Sequence, residues 1–77
     1  MDFNIEKQYQ LFLNKMALDE ATMHQIQKVQ TRRAFMGGFS QAMLLMTSEV
    51  VNLSEEDAMV AITDLMDQVQ GFWIKQK

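Results

Sequence analysis

The stretch TMHQIQKVQTRRAFMGGFSQAMLLMTS, residues 22–48, decides the fold. It contains no proline, and its apolar residues recur with a period near 3.6, so it reads as one long helix. Ile26, Val29, Met36 and Met43 form one stripe on it, with Phe35, Phe39, Ala42 and Met46 beside it. That width predicts burial on more than one side in the second half of the helix. At 1.5 Å per residue the helix is about 35–40 Å long. Thr22 with Gln25 has the form of a capping box for its start, and Asp19 is the alternative cap.

The flanking stretches are helical by the same criterion. Ile5, Tyr9, Phe12, Leu13 and Met16 lie on one face of a first helix. Asp2 or Asn4 is its expected cap, and its end falls near Ala17-Leu18. Ser54 opens a third helix, with Asp57 closing the box and Glu55 and Glu56 at the positive end of the dipole. Ala58, Ile62, Leu65, Met66, Val69, Phe72 and Trp73 follow at helical spacing, and Gly71 predicts fraying near Trp73. The expected fold class is therefore all-α: a three-helix protomer with a long central helix. Residues 1–77 read as a single helical domain, without repeat or linker. A middle helix longer than its neighbours keeps surface uncovered within one chain. Assembly into a homo-oligomeric helical bundle, a dimer or higher, is the expected remedy.

Composition narrows the chemistry. Seventy-seven residues make a small core, and with no cysteine and one histidine both disulfides and a structural zinc site are excluded. No apolar run reaches the roughly 18–20 residues that span a bilayer, and the polar start does not read as a signal peptide. No membrane partner is expected, and the cytoplasm is the expected compartment.

The net charge of −3 hides a division: +1 over residues 1–48 and −4 over residues 49–77, with no acid between Glu20 and Glu49. A short cationic zone suits a small anionic ligand or an acidic patch on a partner. Duplex DNA requires a broader basic face, and a helix-turn-helix reading puts three acids in the first turn of the recognition helix.

His24, Lys28 and Arg32 lie at i, i+4 and i+8 along one edge of the central helix, with Arg33 turned about 100° from Arg32. The plainer reading pairs the arginines with third-helix acids such as Asp64 or Asp67. The sharper one makes them ligands for phosphate or carboxylate, which a planar guanidinium grips bidentately. Gly37-Gly38 costs the helix roughly 2 kcal/mol against Ala-Ala, which implies close packing, a kink or a ligand lying on the backbone. Phe35 and Trp73 are core candidates that are also able to stack on a base. The candidate ligand-binding set is His24, Lys28, Arg32, Arg33, Phe35, Gly38 and Trp73. No nucleophile with a partner base, metal-ligand cluster or phosphate loop stands out, so no enzyme activity, catalytic residue, metal or cofactor is expected.

The elements Met23-His24-x-x-Gln27 and Thr31-Arg32-Arg33-Ala34-Phe35-x-x-Gly38 resemble a group of small helical proteins encoded in bacteriophages and prophages. Gln8-Tyr9-x-x-Phe12-Leu13 and Asp67-x-x-x-x-Phe72-Trp73 extend the resemblance over most of the chain, whereas Gln25 stands where that group carries proline. The resemblance implies no particular activity. It is in keeping with a phage-type anti-defence protein acting in the host cytoplasm. On this reading the protein sequesters an anionic nucleotide immune signal, a cyclic oligonucleotide or an ADP-ribose derivative, without catalysis. The alternatives are a protein-binding inhibitor of a host defence or transcription factor, as anti-CRISPR proteins are, and a purely structural, self-assembling phage component.

Overall fold

A computed structural model describes residues 3–76 and is helical, with no strand among the described residues. Helix α1 spans Ile5–Lys15, α2 Gln25–Ser48 and α3 Glu55–Lys75, with short 3-10 turns at Glu20–Thr22 and Val50–Asn52. The chain forms two compact units, residues 1–40 and 41–77.

Asn4 caps α1: its side-chain oxygen accepts from the backbone N–H groups of Glu6, at 2.8 Å, and Lys7, at 3.2 Å. The alternative cap, Asp2, lies outside the described residues. The helix closes in a Schellman turn, in which Leu18 N–H donates to the Leu13 carbonyl at 2.9 Å and Ala17 N–H to that of Asn14 at 3.1 Å. The residue that turns the chain is Ala17, at φ 55°, a left-handed position where glycine is the usual occupant.

The expected cap at Thr22 is not the one used. Asp19 accepts from Ala21 N–H at 2.9 Å and so opens a 3-10 turn, and the Thr22 hydroxyl donates to the Asp19 carbonyl. The backbone then extends through Met23, whose side chain is buried, and α2 begins at Gln25 with Lys28 N–H bonded to the His24 carbonyl. Burial of Met23 competes with a helix start at Thr22, because helical dihedrals there would alter the direction of that side chain.

The core of residues 1–40 is Tyr9, Leu13 and Met23, with Phe12, Leu18 and Phe35 packed against it. The face expected on α1 thus divides into a buried pair, Tyr9 and Leu13, and the more exposed Ile5 and Met16. Phe35 joins α2 to α1: its ring centroid is 5.2 Å from those of both Tyr9 and Phe12, and Phe39 extends the cluster at 5.7 Å.

Residues 41–77 are built differently. Ser54 caps α3 as expected, accepting from Asp57 N–H at 3.1 Å. The helix packs on the turn Val50–Asn52, and Val50 is the one buried side chain among the described residues of this unit. Gly71 does not end α3, which continues to Lys75, and Phe72 and Trp73 meet edge to face at 5.1 Å. Both are about half exposed, so neither is a core residue of this unit. The expected two-sided burial of α2 is also absent: none of its residues is buried. It runs unbroken through Gly37 and Gly38, and a Cβ at either position would meet nothing within 4 Å. Close packing among the described residues of this unit, up to Ser40, therefore does not account for the glycines, and neither has a positive φ.

Candidate functional site

The strongest polar constellation lies where α1, the 3-10 turn and α2 meet. Arg32 on α2 is gripped by two carboxylates. Its Nη1 and Nη2 donate to Glu6 at 2.8 and 2.9 Å, while Nε and Nη2 donate to Glu20, both at 3.1 Å. Four of the five directions in which a guanidinium donates are met by these bonds taken together. The cation also lies over the Tyr9 ring, with Cζ 4.5 Å from its centroid. Glu6 additionally accepts from the Gln10 amide, one turn along α1.

The electrostatics follow from these contacts. Hydrogen bonds from Arg32 and then Gln10 hold the Glu6 carboxyl below its ordinary range, and those from Glu6 and Glu20 push the Arg32 pKa further up. Burial is the main reason the Tyr9 phenol is raised, with the nearby Glu20 charge adding to it and Arg32 opposing it. The Tyr9 hydroxyl is itself buried without a hydrogen-bond partner among the described residues. This arrangement joins α1 to α2, and an anion approaching Arg32 must compete with two carboxylates already in place. The partners are Glu6 and Glu20, not the third-helix acids Asp64 and Asp67 that the plainer sequence reading proposed.

Beside this clamp lies an open groove of about 640 Å³. Phe12 from α1 and Ile26 and Ala34 from α2 supply apolar surface, while Gln27, Gln30, Thr31 and His24 supply polar groups. No carboxylate lines it. Helical geometry gives the groove its composition, because Gln27, Gln30, Thr31 and Ala34 fall on one side of α2 at spacings of three and four. The face turned to α1 carries Arg32 and Phe35 instead. A smaller groove of about 500 Å³ shares Phe12 and is lined further by Gln8, Leu11, Lys15, Phe35 and Phe39.

The sequence-derived candidates do not converge on one pocket: His24 borders the larger groove, Phe35 the smaller, and the other five line neither. His24 lines the larger groove; Lys28 is partly buried one turn before Arg32. Arg33 is exposed and forms no ion pair among the described residues; on the helix it is one turn from Gln30. Phe35 is in the aromatic cluster, and Gly38 follows Ala34 by one turn on exposed helix surface. Trp73 belongs to the unit of residues 41–77. Sequence reasoning missed Phe12, Gln27 and Gln30 as groove residues and Glu6 and Glu20 as clamp residues. The i, i+3 spacing of Gln27 and Gln30 was visible, but nothing local marks which glutamines border a groove.

Among the described residues no group of three His, Cys, Asp or Glu is placed to hold a metal ion, and no helix is long and apolar enough to cross a membrane. The chain matches no known family model, no curated protein and no solved structure.

Proposed function

We propose that this chain is a non-catalytic binding protein whose groove beside Phe12 captures an anionic nucleotide signal. The observation that carries the reading is the lining itself: an aromatic and aliphatic floor, two amide side chains and an imidazole, with no carboxylate. In this arrangement Phe12 stacks on the base, and Gln27 and Gln30 offer both donors and acceptors to its edge. His24, Lys28 and Arg33 supply donors and positive charge for phosphate. Arg32 acts one step back, holding α1 against α2 so that Phe12 stays under the groove. Gly38 continues the surface beyond Ala34 without a side chain to obstruct a flat ligand.

The setting, a phage-type protein acting against a host nucleotide-signalling defence in the host cytoplasm, rests on the resemblance of the Met23–Gly38 motif. Assembly into a homo-oligomer belongs to the same proposal. A second reading, inhibition of a host protein, is favoured by one observation: Glu55, Glu56, Asp57, Asp64 and Asp67 make no ion pair among the described residues.

The test is thermal unfolding of the purified protein against cyclic di- and trinucleotides, cyclic ADP-ribose isomers, ordinary nucleotides and inorganic phosphate. A ligand at 100 times its Kd adds about 2.7 kcal/mol, which raises the Tm of a chain this small by on the order of 10 °C. One responder whose effect is lost in Gln30→Ala and Arg33→Ala supports groove capture. Silence from folded protein overturns it and directs the search to a pull-down with host lysate.

A further inference from the structure

Within residues 41–77, the apolar face of α3 is largely exposed. Ala58, Ile62, Leu65, Val69 and Phe72 recur at alternating spacings of four and three, the repeat of a coiled-coil seam, and Met59, Met66 and Trp73 widen it on one side. Thr63, Asp64 and Asp67 lie on the opposite face, which also carries the isolated Val60 and Ile74, while Gln68 flanks the seam. Despite this segregation, Met59 and Met66 are 61% and 62% exposed, and Val69, Phe72 and Trp73 about half. Within residues 41–77 the helix packs on the short turn Val50–Asn52. Ala58, Ile62 and Leu65 are partly buried, whereas the seam from Met66 to Trp73 is left largely exposed.

The charges on the helix select both the occupant and its orientation. Glu55, Glu56 and Asp57 crowd its first turn, and Lys75 stands in its last. A second copy laid parallel brings six carboxylates to one end. Laid antiparallel, it sets the acidic turn of each helix beside the lysine-bearing turn of the other and opposes the two macrodipoles. We infer that α3 pairs antiparallel with α3 of a second copy across this seam, with the two-fold axis near Leu65 and Met66. The inference deepens the oligomer half of the proposed function by naming its surface and orientation. It stands or falls separately from groove capture, which the ligand panel reads within residues 1–40.

A chain without cysteine permits a direct test. Single-cysteine variants Ala58→Cys, Met66→Cys and Phe72→Cys are oxidised separately and in mixtures, and the mass of the unmodified protein in solution is measured alongside. The antiparallel pair predicts a dimer or an even multiple. It also predicts efficient self-linking of Met66→Cys near the axis, and linking of Ala58→Cys with Phe72→Cys only when the two are mixed. Self-linking of both end variants alone overturns the orientation in favour of a parallel pair.

Trp73 is the sole tryptophan and lies on the seam, so its emission should move to shorter wavelength as protein concentration rises. Val69→Glu should abolish that dependence and yield monomer, while Thr63→Glu, on the polar face, leaves the dimer intact. If Val69→Glu unfolds, the cross-links in the near-native cysteine variants still decide. Unmodified protein that is monomeric throughout, with a Trp73 emission independent of concentration, overturns the inference and assigns the seam to cover within the same chain.

Discussion

The guanidinium carbon of Arg32 lies 4.5 Å from the centre of the Tyr9 ring, so a cation is stacked on the side chain that forms the fully buried centre of residues 1–40. Glu6 and Glu20 hold it there from α1 and from the 3-10 turn. Planarity matters to this geometry, because one flat group presents its face to a ring and its edge to two carboxylates. Arg32→Ala should lower Tm, and Arg32→Lys should recover less than half of the loss, since an ammonium cannot serve both carboxylates and the ring at once. Thermal unfolding of the pair decides it; full recovery by lysine would show that charge alone matters.

The same clamp makes stability depend on acid. The folded-state pKa of Glu6 is lowered from its ordinary value of 4.5, so folding favours its ionised form. Its contribution is complete above that value and is lost as pH falls through the lowered folded one. Tm should therefore decline below about pH 4.5, and Glu6→Gln should flatten the decline relative to the parent. Equal slopes for the two proteins between pH 5 and pH 3 would remove Glu6 from the account.

Ala17 occupies the left-handed position that ends α1. Glycine reaches that conformation without the clash between Cβ and the carbonyl, though it also loses more freedom on folding. The net effect of Ala17→Gly should be a stabilisation of about 0.5–1 kcal/mol, measurable by urea unfolding. A destabilised variant would mean that the Ala17 methyl group makes a contact worth more than the strain.

Gly37 and Gly38 have open space where a Cβ would stand. Alanine at each should stabilise the helix by about 1 kcal/mol through propensity alone. Under groove capture the two positions then diverge. Gly38→Ala should weaken a responding nucleotide by adding bulk one turn from Ala34, while Gly37→Ala should spare it. Equal binding by both variants would show that the ligand does not extend to Gly38.

The three helices were legible from the sequence because their signals are local. The 3.6-residue recurrence of Tyr9, Phe12 and Leu13, the Asn4 and Ser54 caps and the absence of proline all act within a turn or two of chain, where neighbouring residues suffice to specify the outcome. The long span of α2 through Gly37-Gly38 followed from the same rule, since two glycines weaken a helix without breaking a strong pattern on either side. What only the tertiary structure decided are the meetings between elements. Arg32 meets Glu6 across 26 residues and Glu20 across 12, and no periodicity selects these acids over Asp64 or Asp67. Met23 turns inward and delays α2 to Gln25, overriding a cap that local chemistry favoured at Thr22. Phe12 comes to floor a groove bordered by Gln27 and Gln30 because α1 crosses α2 at a particular height and rotation. Periodicity states which face of each helix is apolar. The register in which two faces meet depends on side-chain shape and charge on both at once, and that information exists only when they are in contact.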